Sequence, residues 1–262
     1  MDKNLTQKIF DQAKSLGADL VGACSIEQMA KYPNATAEIE KIDPQAKSFL
    51  VYACRMVSSS ISSAEQNIRI AQFSTRLIYD ELSRIGFSLM RKLDDMGFSA
   101  SPIPTYLPVP MLKETKGMIA ELSLRHVAYE AGLGVIGKNL LLLTREFGPR
   151  VRFGAILTSA PLESGKPATE NFCTECDLCV EACPVHALES RGEEAISLCS
   201  RNHLKYGLPG LIRFAIRLIK ASSDDEKIEL VKSPELWEYW QNMNTGVFYY
   251  CFHCLNACPV GK

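Results

Sequence analysis

Eight cysteines fall in the last 90 residues of this 262-residue chain: Cys173, Cys176, Cys179, Cys183, Cys199, Cys251, Cys254 and Cys258. Two more, Cys24 and Cys54, stand apart in apolar segments and read as small buried side chains. The densest run is Cys173-x2-Cys176-x2-Cys179-x3-Cys183-Pro184, a spacing that seats a 4Fe–4S cubane. Three thiolates on one tight loop cap three irons of a single cluster. The fourth, where the loop turns into a helix, points to a neighbouring cluster. Proline suits that place because the first helical turn has no use for its missing N–H.

The pattern occurs twice. Cys176-Asp-Leu-Cys-Val-Glu-Ala-Cys-Pro-Val aligns without gaps on Cys251-Phe-His-Cys-Leu-Asn-Ala-Cys-Pro-Val. The counterpart of Cys173 in the second copy is Phe248, so one ligand is missing, and the isolated Cys199 is the replacement. In two-cluster ferredoxins the last cysteine of each run ligates the other cluster. That crossing rule assigns Cys173, Cys176, Cys179 and Cys258 to cluster one, and Cys183, Cys199, Cys251 and Cys254 to cluster two. The chemistry expected is one-electron transfer at low potential. A structural zinc site would use separated Cys-x2-Cys pairs instead. A disulfide framework would need an oxidising compartment. His253 reads as a residue beside a cluster, and His126 as a helix residue.

The elements that position this run are mixed. Residues 3–17 have helical spacing of Leu5, Ile9, Phe10 and Ala13 and stop at Gly17. Residues 18–24 and 48–54 read as strands, the second buried. A long helix is expected from about Ser63 to Met96, with Ile68, Phe73, Ile78, Leu82, Ile85 and Leu89 on one side. Four prolines between Pro102 and Pro110 exclude helix interior and predict an extended loop. Ser123 is a candidate N-cap for a helix to Ala131, and 150–158 reads as a strand. Residues 161–169 have linker composition. The expectation is an α+β chain with a boundary there, residues 1–162 forming one domain and 163–262 a ferredoxin-like domain with two 4Fe–4S clusters.

Charge narrows the partners. With 29 basic and 30 acidic residues the chain has no bulk field that favours nucleic acid or membrane. The N-terminus lacks the apolar core of a signal peptide and a twin-arginine pair. No apolar run approaches the roughly 18 residues of a membrane span. A cytoplasmic protein is expected, with no membrane partner. The basic amphipathic stretch Leu211–Lys220, between Cys199 and Cys251, is expected to cover the protein's own core with its cationic stems reaching water.

A second motif precedes the cysteines. In Ala131-Gly-Leu-Gly-Val-Ile-Gly-Lys-Asn, the residues Gly132, Gly134 and Gly137 formally satisfy G-x-G-x-x-G. A nicotinamide fingerprint needs a strand before and a helix after. Here a helix-like stretch precedes and the apolar run Leu140–Leu143 follows, so the glycines read instead as places of close backbone approach to a ligand or another segment. This motif, the later Phe147-Gly-Pro-Arg-Val-Arg-Phe-Gly-Ala-Ile-Leu-Thr, the cysteine run and its repeat, taken in order, resemble the epoxyqueuosine reductases and corrinoid reductive dehalogenases over residues 65–262. The resemblance implies a nitroreductase-like N-terminal domain that binds cobalamin, fed with electrons by the ferredoxin-like domain. It also implies that Gly134, Gly137, Lys138 and Asn139 lie along the corrinoid pocket, and that an isolated cysteine such as Cys199 is a family feature.

The departures limit what can be carried over. Epoxyqueuosine reductases have an Asp-x-Ala-Pro segment shortly before the arginine matched by Arg125; this chain has Met118-Ile-Ala-Glu-Leu-Ser-Leu there. Their C-terminal helical repeats, linked to tRNA binding, have no counterpart after Cys258 in this chain. Tyr106, Glu114 and Glu121 are candidate proton donors, and no catalytic residue is assigned. Two functions remain open. One is a cobalamin-dependent reductase of a small substrate. The other is an electron carrier that reduces a corrinoid or flavin partner protein. Either needs an external low-potential donor such as ferredoxin or flavodoxin.

Overall fold

The computed structural model describes residues 2–33, 35–106, 108–109, 120, 122–190, 192–246 and 251–262. Helix α1, Lys3–Ser15, starts where the Asp2 carboxylate accepts the Leu5 N–H at 3.0 Å. It buries Ile9 and Ala13. The chain then alternates strand β1 (Leu20–Ser25), short helix α2 (Ile26–Met29), helix α3 (Ala35–Ile42), strand β2 (Ser48–Arg55), helix α4 (Ser58–Ser62) and the long helix α5 (Ile68–Asp95). Strand β3 (Ala100–Ile103), helix α6 (Leu124–Glu130), the small hairpin of β4 (Val135–Ile136) and β5 (Leu142–Leu143), and strand β6 (Val151–Thr158) complete this part.

Four strands make one antiparallel sheet in the order β1-β2-β6-β3. Its central strands are buried on both faces, so β2 reads as a continuous apolar run. The two-residue period of the strand sorts its side chains. Leu50, Tyr52 and Cys54 face α1 and α5, together with Ile9, Leu82, Ile85, Leu89 and Ile156. Phe49 and Val51 face the opposite layer, with Met29, Ile39, Val127, Ala128 and Leu157. Helices therefore cover both faces in a mixed α+β arrangement. Each fully buried leucine or isoleucine contributes on the order of 1.5–3 kcal/mol by leaving water.

Three local expectations need correction. Phe73 is 61% exposed; at about 100° per residue it lies off the stripe of Ala71, Thr75, Ile78, Leu82, Ile85, Leu89 and Leu93 that α5 buries. The expected helix from Ser63 is divided: a 3-10 turn spans Ser63–Glu65, and α5 begins after its N-cap Asn67. Pro102 is part of β3, opposite Ile156, which is tolerated because β3 is an edge strand.

Beyond residue 160 the chain stays attached to this layer. The Pro161 carbonyl accepts from Asp2, Leu162 N–H donates to Ser48 Oγ, and Gly165 N–H donates to the Ala23 carbonyl at 2.8 Å. A Cβ on Gly165 would collide with the Ala131 carbonyl. The segment of linker composition is thus a strap laid along the N-terminal layer. Then come α7 (Leu178–Glu181), α8 (Gly192–His203), α9 (Leu208–Lys220), α10 (Asp224–Lys232), α11 (Pro234–Thr245) and α12 (His253–Ala257). Helix α11 docks on α5 through a buried Gln72–Asn242 hydrogen bond of 3.1 Å and the Arg69–Glu238 pair. Helix α9 buries Gly210 and Phe214 but leaves Leu208, Ile212, Ile216 and Ile219 exposed. The stretch therefore does not cover the main core as expected: Phe214 packs edge-on against Tyr239 of α11, and most of the apolar side faces out. Among the described residues no helix is long and apolar enough to cross a membrane.

Candidate metal centre

The two halves of the cysteine repeat fold alike. Helix α7 begins two residues after Cys176, and α12 begins two residues after Cys251, so both start at the same place in the repeat and pack against each other. The helix expected to begin at Cys183-Pro184 is therefore not formed: each helix ends just before the last cysteine of its run. Glu175 and Asp177 adopt left-handed backbone, with φ of 54° and 61°, on either side of Cys176. That conformation is costly for residues with a Cβ, and here it wraps the loop around its sulfurs.

The thiols fall into two neighbourhoods. The charges of Cys258, Cys173 and Cys176 act on Cys179, and all four line one concavity. The charges of Cys251 and Cys183 act on Cys199, and those of Cys251, Cys199, Cys183 and, last, Cys179 act on Cys254. Burial, followed by these neighbours, pushes the Cys199 thiol up to about 11 and the Cys254 thiol up to about 12. Four sulfurs crowded this way cannot ionise together unless a cation joins them, and metal binding supplies that cation. The donor set thus fits iron–sulfur clusters better than it fits free thiols. Among the described residues no three ligating side chains converge closely enough to hold a single metal ion. A cubane spreads its four thiolates over the corners of a larger body. By contrast, Cys24 and Cys54 lie in the sheet, both pushed up to about 12 chiefly by burial.

The first neighbourhood opens on a solvent-open concavity lined by Cys173, Cys176, Cys179 and Cys258 together with Lys138 and Asn139. The last two come from the glycine-rich turn. Lys138 N–H donates to Cys173 Sγ at 3.5 Å, and the Lys138 ammonium pairs with Asp177. Asn139 is buried and its Oδ1 accepts the Leu141 N–H at 3.1 Å. Arg125 braces the same turn by donating to the Leu140 carbonyl. A Cβ on Gly134 would strike the Leu143 carbonyl, and one on Gly137 the Leu143 side chain. These two glycines let the turn close onto strand β5. Val135 and Leu143 of the hairpin pack directly on Cys258.

Sequence reasoning assigned no role to several residues now at the site. Arg150, 4% exposed, donates to the carbonyls of Leu255, Cys258 and Val260. Asn202 donates to Cys251, as does the His253 backbone; the His253 side chain itself is exposed. Such N–H···S contacts lower the basicity of a ligating sulfur. Arg150 was visible as the end of Phe147-Gly-Pro-Arg, but nothing in that string says what it grips.

The other singled-out residues lie elsewhere. His126 sits in α6, stacked on Tyr32 at 4.2 Å between ring centroids, while Tyr32 donates to the buried Glu130 at 2.6 Å. Burial holds His126 below the usual histidine range. Tyr106 stacks on Tyr79 at 5.3 Å. Phe248, Glu114, Glu121 and Met118 lie outside the described residues.

Comparison with known proteins agrees with the cysteine pattern. Residues 169–189 match the 4Fe-4S binding domain family. The chain is 27% identical over 223 residues to an epoxyqueuosine reductase of Bacillus cereus, covering 73% of this chain and 54% of that protein. It is 32% identical over 115 residues to the tetrachloroethene reductive dehalogenase of Dehalobacter restrictus, which covers 42% of this chain and 18% of the dehalogenase. Among solved structures, an epoxyqueuosine reductase with an epoxyqueuosine-modified tRNA stem loop superposes with a TM-score of 0.56 at 21% identity, over 99% of this chain and 66% of that one. A reductive dehalogenase whose structure suggests a mechanism for B12-dependent dehalogenation superposes with a TM-score of 0.59 at 18% identity, over 92% and 36%. The chain spans about half the length of the epoxyqueuosine reductase it matches over the longest stretch. By sequence, then, this chain is a homologue of the epoxyqueuosine reductases with reductive dehalogenases as neighbours in fold, and it carries a 4Fe–4S domain.

Proposed function

We propose that the protein is an iron–sulfur oxidoreductase whose two 4Fe–4S clusters pass single electrons to a cobalamin-type cofactor for the reduction of a small substrate. The observation that carries this is the partition of the eight thiols: Cys173, Cys176 and Cys179 with Cys258, and Cys183 and Cys199 with Cys251 and Cys254. It agrees with the crossing rule of two-cluster ferredoxins. Residues 163–262 form the ferredoxin-like part in this reading, and residues 1–162 a nitroreductase-like part. An external low-potential donor, ferredoxin or flavodoxin in type, supplies the electrons.

When bound, a corrinoid supplies a strongly reducing metal centre that no side chain can provide. The chain's own residues would do the rest. Lys138 and Asn139 line the concavity beside the cluster-one cysteines, and the half-buried Lys138 is the side an acceptor would approach. Gly134 and Gly137 fit the corrinoid less well, because Leu143 fills the space a Cβ would take.

That packing favours a second reading, in which the chain carries electrons to a corrinoid or flavin protein and holds no acceptor itself. Anaerobic expression with cobalamin available, followed by iron and cobalt analysis and EPR, separates the two. About eight irons per chain with stoichiometric cobalt supports the reductase; the same iron with no retained corrinoid supports the carrier. Fewer than about five irons refutes both.

A further inference from the structure

The Phe147-Gly148-Pro149-Arg150 turn has no role in ligating iron, yet it is built around the last cysteine. It precedes β6, and the Met56 N–H donates to the Arg150 carbonyl at 2.8 Å, so the turn is tied into the sheet. From that fixed base the Arg150 guanidinium reaches the C-terminal arm. One nitrogen donates to the Cys258 carbonyl at 2.9 Å and the Leu255 carbonyl at 3.3 Å, and the other donates to Val260. These are carbonyls at and just beyond the end of α12, which its own helix leaves without partners. Gly148, at φ 54°, meets the Val260 carbonyl so closely that a Cβ would overlap it, and a Cβ on Gly261 would overlap the Gly148 nitrogen. Phe252 and Leu255 of the arm are buried in the same core as Leu82 and Ile85 of α5. The arm that delivers Cys258 is therefore seated on the sheet, with Arg150 as its latch.

We infer that Arg150 is a positioning residue for Cys258 and that its buried charge holds the reduction potential of cluster one above the value a neutral side chain would give. The inference rests on the two-cluster reading above. Reduction of cluster one adds one electron and hence one negative charge beside Cys258. A fixed cation in a largely water-free setting stabilises that added charge more than an exposed one would. Arg150 is 4% exposed and makes no ion pair with a carboxylate among the described residues. Its charge is free to act on the cluster. Of the three carbonyls that Arg150 grips, the shorter contacts are to Cys258 and Val260, on the arm that delivers the cluster-one ligand, so the effect is expected on cluster one.

The test is an EPR-monitored redox titration of the anaerobically purified full chain, with dithionite as electron source, on Arg150→Met and Arg150→Lys. Cys258→Ala and Cys199→Ala identify the signals of clusters one and two. In Arg150→Met the signal sensitive to Cys258→Ala should fall in intensity. What remains should show about a tenfold lower ratio of reduced to oxidised cluster at a fixed potential, about 59 mV for one electron. The signal sensitive to Cys199→Ala should not move. Arg150→Lys keeps the charge but not the fork, so it should lose cluster-one intensity while recovering most of the potential. Where Arg150→Met does not fold, the Lys variant decides alone: reduced cluster-one intensity at near-native potential supports the inference. Unchanged intensity and potential in either folded variant overturns it, as does an equal loss of both signals. A wild-type chain with fewer than about five irons instead refutes the two-cluster reading, an outcome read before any variant is made.

Discussion

Lys138 touches the cysteine loop twice: its backbone N–H lies 3.5 Å from Cys173 Sγ, and its ammonium pairs with Asp177. One residue of the glycine-rich turn thus serves as hydrogen-bond donor to a sulfur and as a cation beside it. The turn can come this close because Gly134 and Gly137 have no side chain to hold it off Leu143. The Asp177 contact is the main cause that raises the Lys138 pKa, against a smaller opposing effect of desolvation.

Lys138→Gln should lower the potential of cluster one, because a cation beside the cluster is lost while the backbone N–H···S contact is kept. The shift should be smaller than that of Arg150→Met, since the Lys138 side chain is 35% exposed against 4% for Arg150 as a residue and water screens it. High salt should shrink the Lys138 effect further, with a Debye length of about 3 Å at 1 M, and leave the Arg150 effect largely intact. Redox titrations at low and high ionic strength measure both. A Lys138 shift that survives high salt would count against this assignment.

Cys199→Ala should remove about half of the iron, from about eight atoms per chain to about four, with one EPR signal lost and the other kept. The thiols whose charges act on Cys199 are Cys251 and Cys183, both assigned to cluster two. Loss of both signals would mean that the two sites assemble as one unit; retention of both would exclude Cys199 as a ligand.

The cysteine pattern carried most of the site in the sequence, because ligand spacing on a loop and gapless repetition are local properties. Strand β2 was legible for a similar reason: continuous burial writes a continuous apolar run. The helix expected to begin at Cys183-Pro184 is instead a helix that ends there: α7 and α12 lie inside the runs, ahead of Cys183 and Cys258. What was not legible depends on residues far apart in the chain. Arg150 reaches the Cys258 carbonyl across 108 positions, and Lys138 reaches Cys173 across 35. Pro102 in a strand was missed because only the sheet order shows that β3 lies at an edge. The strap at 161–165 was read as linker because its composition is polar, whereas its hydrogen bonds to Asp2, Ala23 and Ser48 come from the fold.

The orientation of α5 can be checked with two residues that the apolar pattern placed on one side. Leu89 is fully buried and Phe73 is 61% exposed. Leu89→Ala should cost about 2–5 kcal/mol by leaving a cavity, and Phe73→Ala about 0.5 kcal/mol or less. Urea unfolding followed by circular dichroism under anaerobic conditions gives both midpoints. Similar losses from the two would mean that α5 is rotated from the arrangement described.

The pH dependence of stability should contain a contribution from His203, at the end of α8. Although the His203 side chain keeps some solvent exposure, desolvation, then the nearby Arg152 charge, pushes this imidazole down to about 3, against about 6.5 in an unfolded chain. The folded state therefore keeps His203 neutral while the unfolded state takes up a proton as pH falls below about 6.5. The unfolded state binds more protons in that window, so stability falls with falling pH. The slope is about 1.4 kcal/mol per pH unit from this one group, and it ends near the folded value of about 3. Above about pH 6.5 the group is neutral in both states and contributes no slope. His203→Gln removes the titration, so the difference in unfolding free energy between the variant and the wild-type chain should change between pH 7.5 and 5.5 and stay flat between pH 7.5 and 8.5. Measuring the difference cancels the acid sensitivity that the clusters give to both proteins. A difference that is independent of pH across the whole range would show that His203 is protonated as readily in the folded chain as in the unfolded one.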